Sequence, residues 1–243
     1  MKRFSILLLL LSLSFAGFGQ QADVRSLLIN VSKVYHSAKS VSMKLQVDYF
    51  SEEKMTKPEI SYKGEVMISG SNYYSSFMGR KLVVNKNWMV LIDQNEKAIS
   101  CMKPIDPKAA GIDLSSASSP AALADSLLKK NKGIKLLAND AEGNKVLEVK
   151  NPDPVYKRIE MHINPSTYAI TRIDFFYNTL EEGAAIPKVI AYYKDVRFNL
   201  SIPEETFSEK KYIVKQGGGW KVSAAYSGYE LFDYTTPKTI GHD

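Results

Sequence analysis

Between Val41 and Met102 the chain alternates apolar and polar residues with a period of two, and this pattern constrains the fold more than any other feature. Val41, Met43, Leu45, Val47 and Tyr49 alternate with Ser42, Lys44, Gln46 and Asp48, which puts each set on its own face of a strand. Tyr62, Val66 and Ile68 repeat the pattern, and strand-like runs follow at Tyr73–Met78, Leu82–Val84, Trp88–Ile92 and Ala98–Met102. The breaks Gly70-Ser71-Asn72, Asn85-Lys86-Asn87 and Asp93-Gln94-Asn95 carry turn-forming residues. The stretch reads as an antiparallel meander with one apolar face, and that face needs a cover.

The flanking segments suggest one. Val24, Leu27, Leu28, Val31, Val34 and Ala38 recur at steps of three and four, predicting an amphipathic helix over 22–38. After Met102 the residues 103–120 read as a long surface loop, and Pro120 opens a short helix over 121–130. That loop and helix either fold over the sheet as a lid or serve as a passive crossover. Strands resume at Ile134–Leu137, Val146–Val149, Val155–Ile163, Ala169–Tyr177 and Val189–Phe198. The tail from Tyr212 holds Gly217-Gly218-Gly219 and an aromatic run, Trp220 to Tyr234, which adds strands or wraps the outside.

Lys2 and Arg3, then Ile6 to Phe15, then Ala16, Gly17 and Gly19 have the order of a secretory signal peptide, with cleavage expected between Gly19 and Gln20. Residues 20–243 are expected to form a single domain with an extended tail from about 208. Losing Lys2 and Arg3 lowers the net charge from +6 to +4, and no basic stripe or motif points to nucleic acid. Cys101 is the sole cysteine, so no disulfide framework exists, and its strand-like setting favours a buried thiol.

No catalytic constellation emerges. His36, His162 and His242 are far apart, lack metal-ligand spacing and are expected at surface or edge positions. Three Ser-x-x-Lys matches, at Ser51, Ser126 and Ser208, lack their companion motifs. Gly217 to Gly219 has no phosphate-loop ending, and Glu52-Glu53, Glu181-Glu182 and Glu204-Glu205 have no opposed carboxylate partner. The expectation is a non-enzymatic protein with no cofactor and no metal.

One resemblance sharpens this reading. Ile134-Lys135-Leu136 and Val146-Leu147-Glu148-Val149 precede Arg158-Ile159-Glu160-Met161-His162-Ile163, Pro165-Ser166-Thr167, Ile170-Thr171-Arg172-Ile173 and Ile202-Pro203-Glu204-Glu205-Thr206-Phe207. Together with Val83-Val84-Asn85-Lys86-Asn87-Trp88, this order over about 23–207 resembles the periplasmic outer-membrane lipoprotein carrier family, the LolA-like proteins. The resemblance implies a mainly β (α+β) fold: an open, incomplete antiparallel β-barrel with an N-terminal helix and a mid-chain lid helix on its concave face. It implies a periplasmic carrier or chaperone holding the acyl chain of a lipoprotein or lipid. Met43, Leu45, Val47, Tyr62, Val66, Phe77, Trp88 and Val90 would then line the cavity. One departure is plain: Ile68-Ser69-Gly70-Ser71-Asn72 lacks the arginine with which that family latches its lid. The alternatives are an envelope structural protein that docks a protein partner through the same fold, and an enzyme with an unrecognised site.

Overall fold

A computed structural model of the chain describes residues 23–104, 120–130, 133–152, 154–178 and 186–235. The expected signal peptide, residues 105–119 of the expected loop, and His242 lie outside them. Among the described residues the fold is mainly β with two α-helices, α1 over 23–37 and α2 over Pro120–Lys130. The first strands are β1 (Ser40–Phe50), β2 (Ile60–Ser69), β3 (Asn72–Phe77), β4 (Arg80–Val84), β5 (Met89–Asp93) and β6 (Ala98–Met102). After α2 come β7 (Ile134–Leu136), β8 (Lys145–Lys150), β9 (Tyr156–Ile163), β10 (Ile170–Tyr177) and β11 (Lys188–Phe198). The tail supplies β12 (Ile213–Gln216), β13 (Gly219–Val222) and β14 (Glu230–Asp233).

Twelve strands form one sheet in the order β14-β6-β5-β4-β3-β2-β1-β11-β10-β9-β8-β7, and β12 and β13 pair separately. The sheet is not closed: β7 and β14 are its two ends. Antiparallel hairpins build most of it, and β14 joins β6 in parallel. The described residues divide into two compact units, one drawn from positions 23–37, 47–61 and 120–193, the other from 38–46, 62–104 and 194–235. Strands β1 and β11 run through both.

In the first unit, Val24, Leu28 and Val31 of α1 and Ala124 and Leu127 of α2 are buried, as the helical spacing predicts. Tyr35 fixes α1 to the sheet, its hydroxyl accepting a 3.2 Å hydrogen bond from the Ile170 N–H. Burial of that phenol raises its pKa to about 12, against the opposing effect of the backbone bond. His36 Nε2 lies 2.7 Å from Asp125 Oδ2, tying α1 to α2. Leu147, Met161 and Ile173 face one another across β8, β9 and β10 and are fully buried, as are Ile163 and Ile170. Lys188 is buried too. Its ammonium donates to the carbonyls of Glu53 and Met55 at 3.0 and 2.8 Å and lies over the Phe50 ring, so its charge is solvated by the protein.

In the second unit, turn chemistry sets the strand pairing. Met78 and Gly79 both have positive φ, as a two-residue hairpin turn requires, and Phe77 pairs with Arg80. Asn85 Oδ1 accepts the N–H bonds of Asn87 and Trp88, and Asp93 Oδ1 those of Asn95 and Glu96, closing the next two turns. Gly64 lies inside β2, where a Cβ would stand 2.1 Å from the Ser76 carbonyl oxygen and 2.9 Å from the Phe77 ring. Only a residue without a side chain allows this approach. Gly64→Ala should therefore destabilise the protein by about 1–3 kcal/mol, the usual cost of overpacking. Urea unfolding measures this, and an unchanged midpoint would contradict the close approach.

Candidate functional site

The pairing register of β2 to β6 sorts the second unit's side chains into two faces. On one face Met67, Tyr74, Val83, Val90 and Cys101 stand in a row, beside Glu65, Ser76, Lys81, Ile92 and Ile99. On the other, Ile68, Tyr73, Val84, Met89 and Met102 form one row and Val66, Ser75, Leu82, Leu91 and Ser100 the next.

The tail covers the first face. Val83, Val90, Ile92, Ile99 and Cys101 form a fully buried core with Tyr212 and Ile213, and Trp88, Trp220, Val222, Tyr226 and Tyr229 pack around it. Trp88 and Trp220 meet edge-to-face at 4.8 Å, and Lys103 Nζ lies 3.9 Å from the centre of the Trp88 ring. Asn85 Nδ2 donates to the Phe207 carbonyl and to Glu209 Oε2, at 3.0 and 2.8 Å. Ser223 Oγ donates to the Lys211 carbonyl at 2.8 Å. Gly217 and Gly218, both at positive φ, turn the β12–β13 hairpin that carries Trp220.

The second face is apolar and only half-buried. Val66 is buried, Leu91 is 37% exposed, and Ile68, Tyr73, Leu82, Val84, Met89 and Met102 lie between. Gly70 donates its N–H to the Lys39 carbonyl. Counting along antiparallel strands from that bond places Met43 opposite Val66 and Leu45 opposite Gly64, on this same face. Tyr62 and Phe77 meet over it edge-to-face, with centroids 6.1 Å apart.

The eight residues expected to share one cavity face thus divide. Met43, Leu45, Tyr62, Val66 and Phe77 come together on the half-buried face. Val47 falls in the first unit, where it is buried. Trp88 and Val90 are a correction: they lie on the opposite face, beneath the tail, because Val84 pairs with Met89 and so puts Met89 and Leu91, rather than Trp88 and Val90, on the Phe77 side. Sequence reasoning missed Tyr212, Ile213 and Trp220 as the partners of that core. The aromatic run after the glycines was the available signal.

The first unit has a cleft of about 380 Å³ lined by Asp23, Ser26, Leu27 and Asn30 of α1 and by Leu136, Lys145, Pro165 and Tyr168. Its lining is mixed, with Leu27 and Leu136 among polar groups. The histidines also need a correction. His36 is exposed, as expected, but His162 is 6% exposed on β9, flanked across the sheet by Val146 and Arg172 and bonded by Asp140.

No family model matches the sequence, and no curated protein is significantly similar to it. Solved structures match its fold at low sequence identity. LprF from Mycobacterium bovis shares 12% identity and a TM-score of 0.44, over 76% of this chain and 96% of that one. The lipoprotein LppX of Mycobacterium tuberculosis shares 8% identity and a TM-score of 0.43, over 75% and 98%. A LolA superfamily protein is also similar. It comes from Nitrosomonas europaea, at 12% identity and a TM-score of 0.33 over 76% of this chain and 97% of that one. Among the described residues no helix is long and apolar enough to cross a membrane.

Cys101 reports on the tail-covered core. It is fully buried, and burial, helped by Asp233 and Glu209, pushes its thiol up to about 11. In the native protein at pH 8 it should resist a thiol-specific colorimetric reagent and react fully once urea unfolds the chain. Rapid labelling of the folded protein would show that the tail does not stay on this face.

Proposed function

We propose that this is an exported, periplasmic, non-catalytic carrier or chaperone that holds an acyl chain of a lipid or lipoprotein against the half-buried apolar face of the second unit. The observation that carries the reading is that face itself. Two of its three rows, Ile68-Tyr73-Val84-Met89-Met102 and Val66-Ser75-Leu82-Leu91-Ser100, contain no charged side chain, and in the third, Gly64-Phe77-Arg80-Asp93-Ala98, Arg80 and Asp93 pair with each other. Five strands at the usual spacing give a track of roughly 19 Å, a length suited to an extended acyl chain. Met89 and Met102 are adaptable surfaces for a chain of variable length and unsaturation.

Energetics suit exchange. Each methylene removed from water contributes about 0.8 kcal/mol, so one acyl chain half-covered by a sheet is held firmly and still released. The sequence signature of a cleaved signal peptide supports export, and the single, buried cysteine is compatible with an oxidising compartment.

A second reading rests on the sheet edge. Phe232 is 37% and Tyr234 62% exposed on and just beyond β14, the edge strand beside β6. An unpaired edge with exposed aromatics suits strand addition by an envelope protein.

Native mass spectrometry of protein taken from its own envelope without detergent tests the first reading. A near-stoichiometric lipid or acylated peptide is expected. Leu82→Asp and Val84→Asp should each remove it while leaving the thermal midpoint within a few degrees of wild type, because both sites are half-exposed. A ligand retained by both variants would rule this face out. A ligand-free protein that crosslinks through Tyr234 would favour the edge reading.

A further inference from the structure

The charged face of the first unit contains a group of side chains that lipid binding does not use. Glu148, Glu160 and Asp174 stand directly opposite one another across β8, β9 and β10, with Val146, His162 and Arg172 in the next row. Like charges placed opposite across strands repel, and Glu148 and Asp174 are buried here. Cations answer part of this. Arg172 donates two bonds to Asp174, Arg158 lies near Glu160, and Lys150 lies 3.7 Å from Glu148.

His162 sits at the end of this row of carboxylates. Its Nδ1 lies 2.7 Å from Asp140 Oδ2. That carboxylate also accepts bonds from the Asn144 side chain and from the N–H groups of Glu142 and Asn144, so it is the acceptor and Nδ1 donates. In the neutral imidazole the lone pair is then on Nε2, which is buried and without a hydrogen-bond partner. An uncompensated buried polar atom is costly. A histidine whose other nitrogen is fixed by a carboxylate is the usual arrangement around a bound metal. One ligand atom from each of Glu160, His162 and Asp174 lies within 4.8 Å of the other two. Two ligands each about 2.1 Å from a metal stand at most about 4.2 Å apart, so small side-chain rotations close the site.

We propose that Glu160, His162 and Asp174 bind a first-row divalent transition cation, through His162 Nε2 and one oxygen of each carboxylate, with Asp140 orienting the imidazole. The donor set selects the class. Calcium and magnesium favour all-oxygen sites, whereas one imidazole with two carboxylates suits zinc, manganese or iron. Arg172 does not block the site, because a carboxylate has lone pairs enough to accept a guanidinium and bind a metal together. Three protein ligands leave coordination positions for water or a further ligand. Glu160 and His162 lie two residues apart on one strand, and that spacing puts both on one face.

The test is calorimetric titration of the chelator-treated, full exported chain with zinc chloride and, separately, with manganese chloride. One site per chain is expected, with a zinc dissociation constant below about 10 µM. Glu160→Gln and His162→Gln should each weaken binding at least tenfold, and Asp140→Ala by about ten- to a hundredfold. His36→Gln should leave binding unchanged. Replacing a buried histidine can unfold the chain, so nitrogen-15 imidazole spectra of the unaltered protein supply an independent readout. Zinc should shift the His162 Nε2 resonance and leave Nδ1 protonated. Absence of stoichiometric binding for both metals overturns the proposal. So does a zinc-induced shift confined to His36 or His242, or full affinity in Glu160→Gln.

Discussion

The hydrogen-bonded ladder from β2 to β6 decides which side chains share a face, because slipping any pair by one residue would turn a whole strand over. Each connection in the ladder is even in length: two residues at Gly70-Ser71 and Met78-Gly79, four at 85–88 and 94–97. Paired residues share a face, and these connection lengths fix which residues become partners. Val83, Val90 and Cys101 therefore align on one side and Val84, Met89 and Met102 on the other. The close approach of the Ser76 carbonyl and the Phe77 ring to Gly64 belongs to the same ladder.

The two faces meet different fates because the tail arrives on only one of them. Val83, Val90, Ile92, Ile99 and Cys101 have no exposed surface once Tyr212 and Ile213 pack on them, and the Trp88–Trp220 contact caps the end of that core. The opposite face keeps an apolar surface with methionines across two of its three rows, and the charges of the third, Arg80 and Asp93, pair with each other. A fold that satisfies its core with its own tail leaves the second face available to a ligand. This is the physical basis of the carrier reading.

The first unit uses a different logic. Its apolar sheet face is internally complete, with Leu147, Met161 and Ile173 fully buried, and Tyr35 and the His36–Asp125 pair hold its helices. Its other face carries buried charge. Lys188 is solvated by carbonyls, Asp174 by Arg172, and Asp140 by Asn144 and His162. Only the His162 Nε2 and the Arg158 Nε stay without hydrogen-bond partners among the buried side-chain atoms described. A buried polar face with so few open positions gives the unpartnered imidazole nitrogen its significance.

Period-two alternation, turn residues and helical spacing, all local signals, were enough to determine the mainly β class, both helices and nearly every strand. They also indicated the buried Cys101. They fixed the phase within each strand, and the turn lengths between strands held the information that separates Trp88 and Val90 from Phe77. What only the tertiary structure decided was long-range. The docking of Tyr212, Ile213 and Trp220 joins residues more than a hundred positions apart in sequence. The meeting of Asp140, Glu160, His162 and Asp174 depends on three strands pairing in one register and on a loop folding back over them. Periodicity reports which face a residue occupies, while packing and pairing decide what lies against that face.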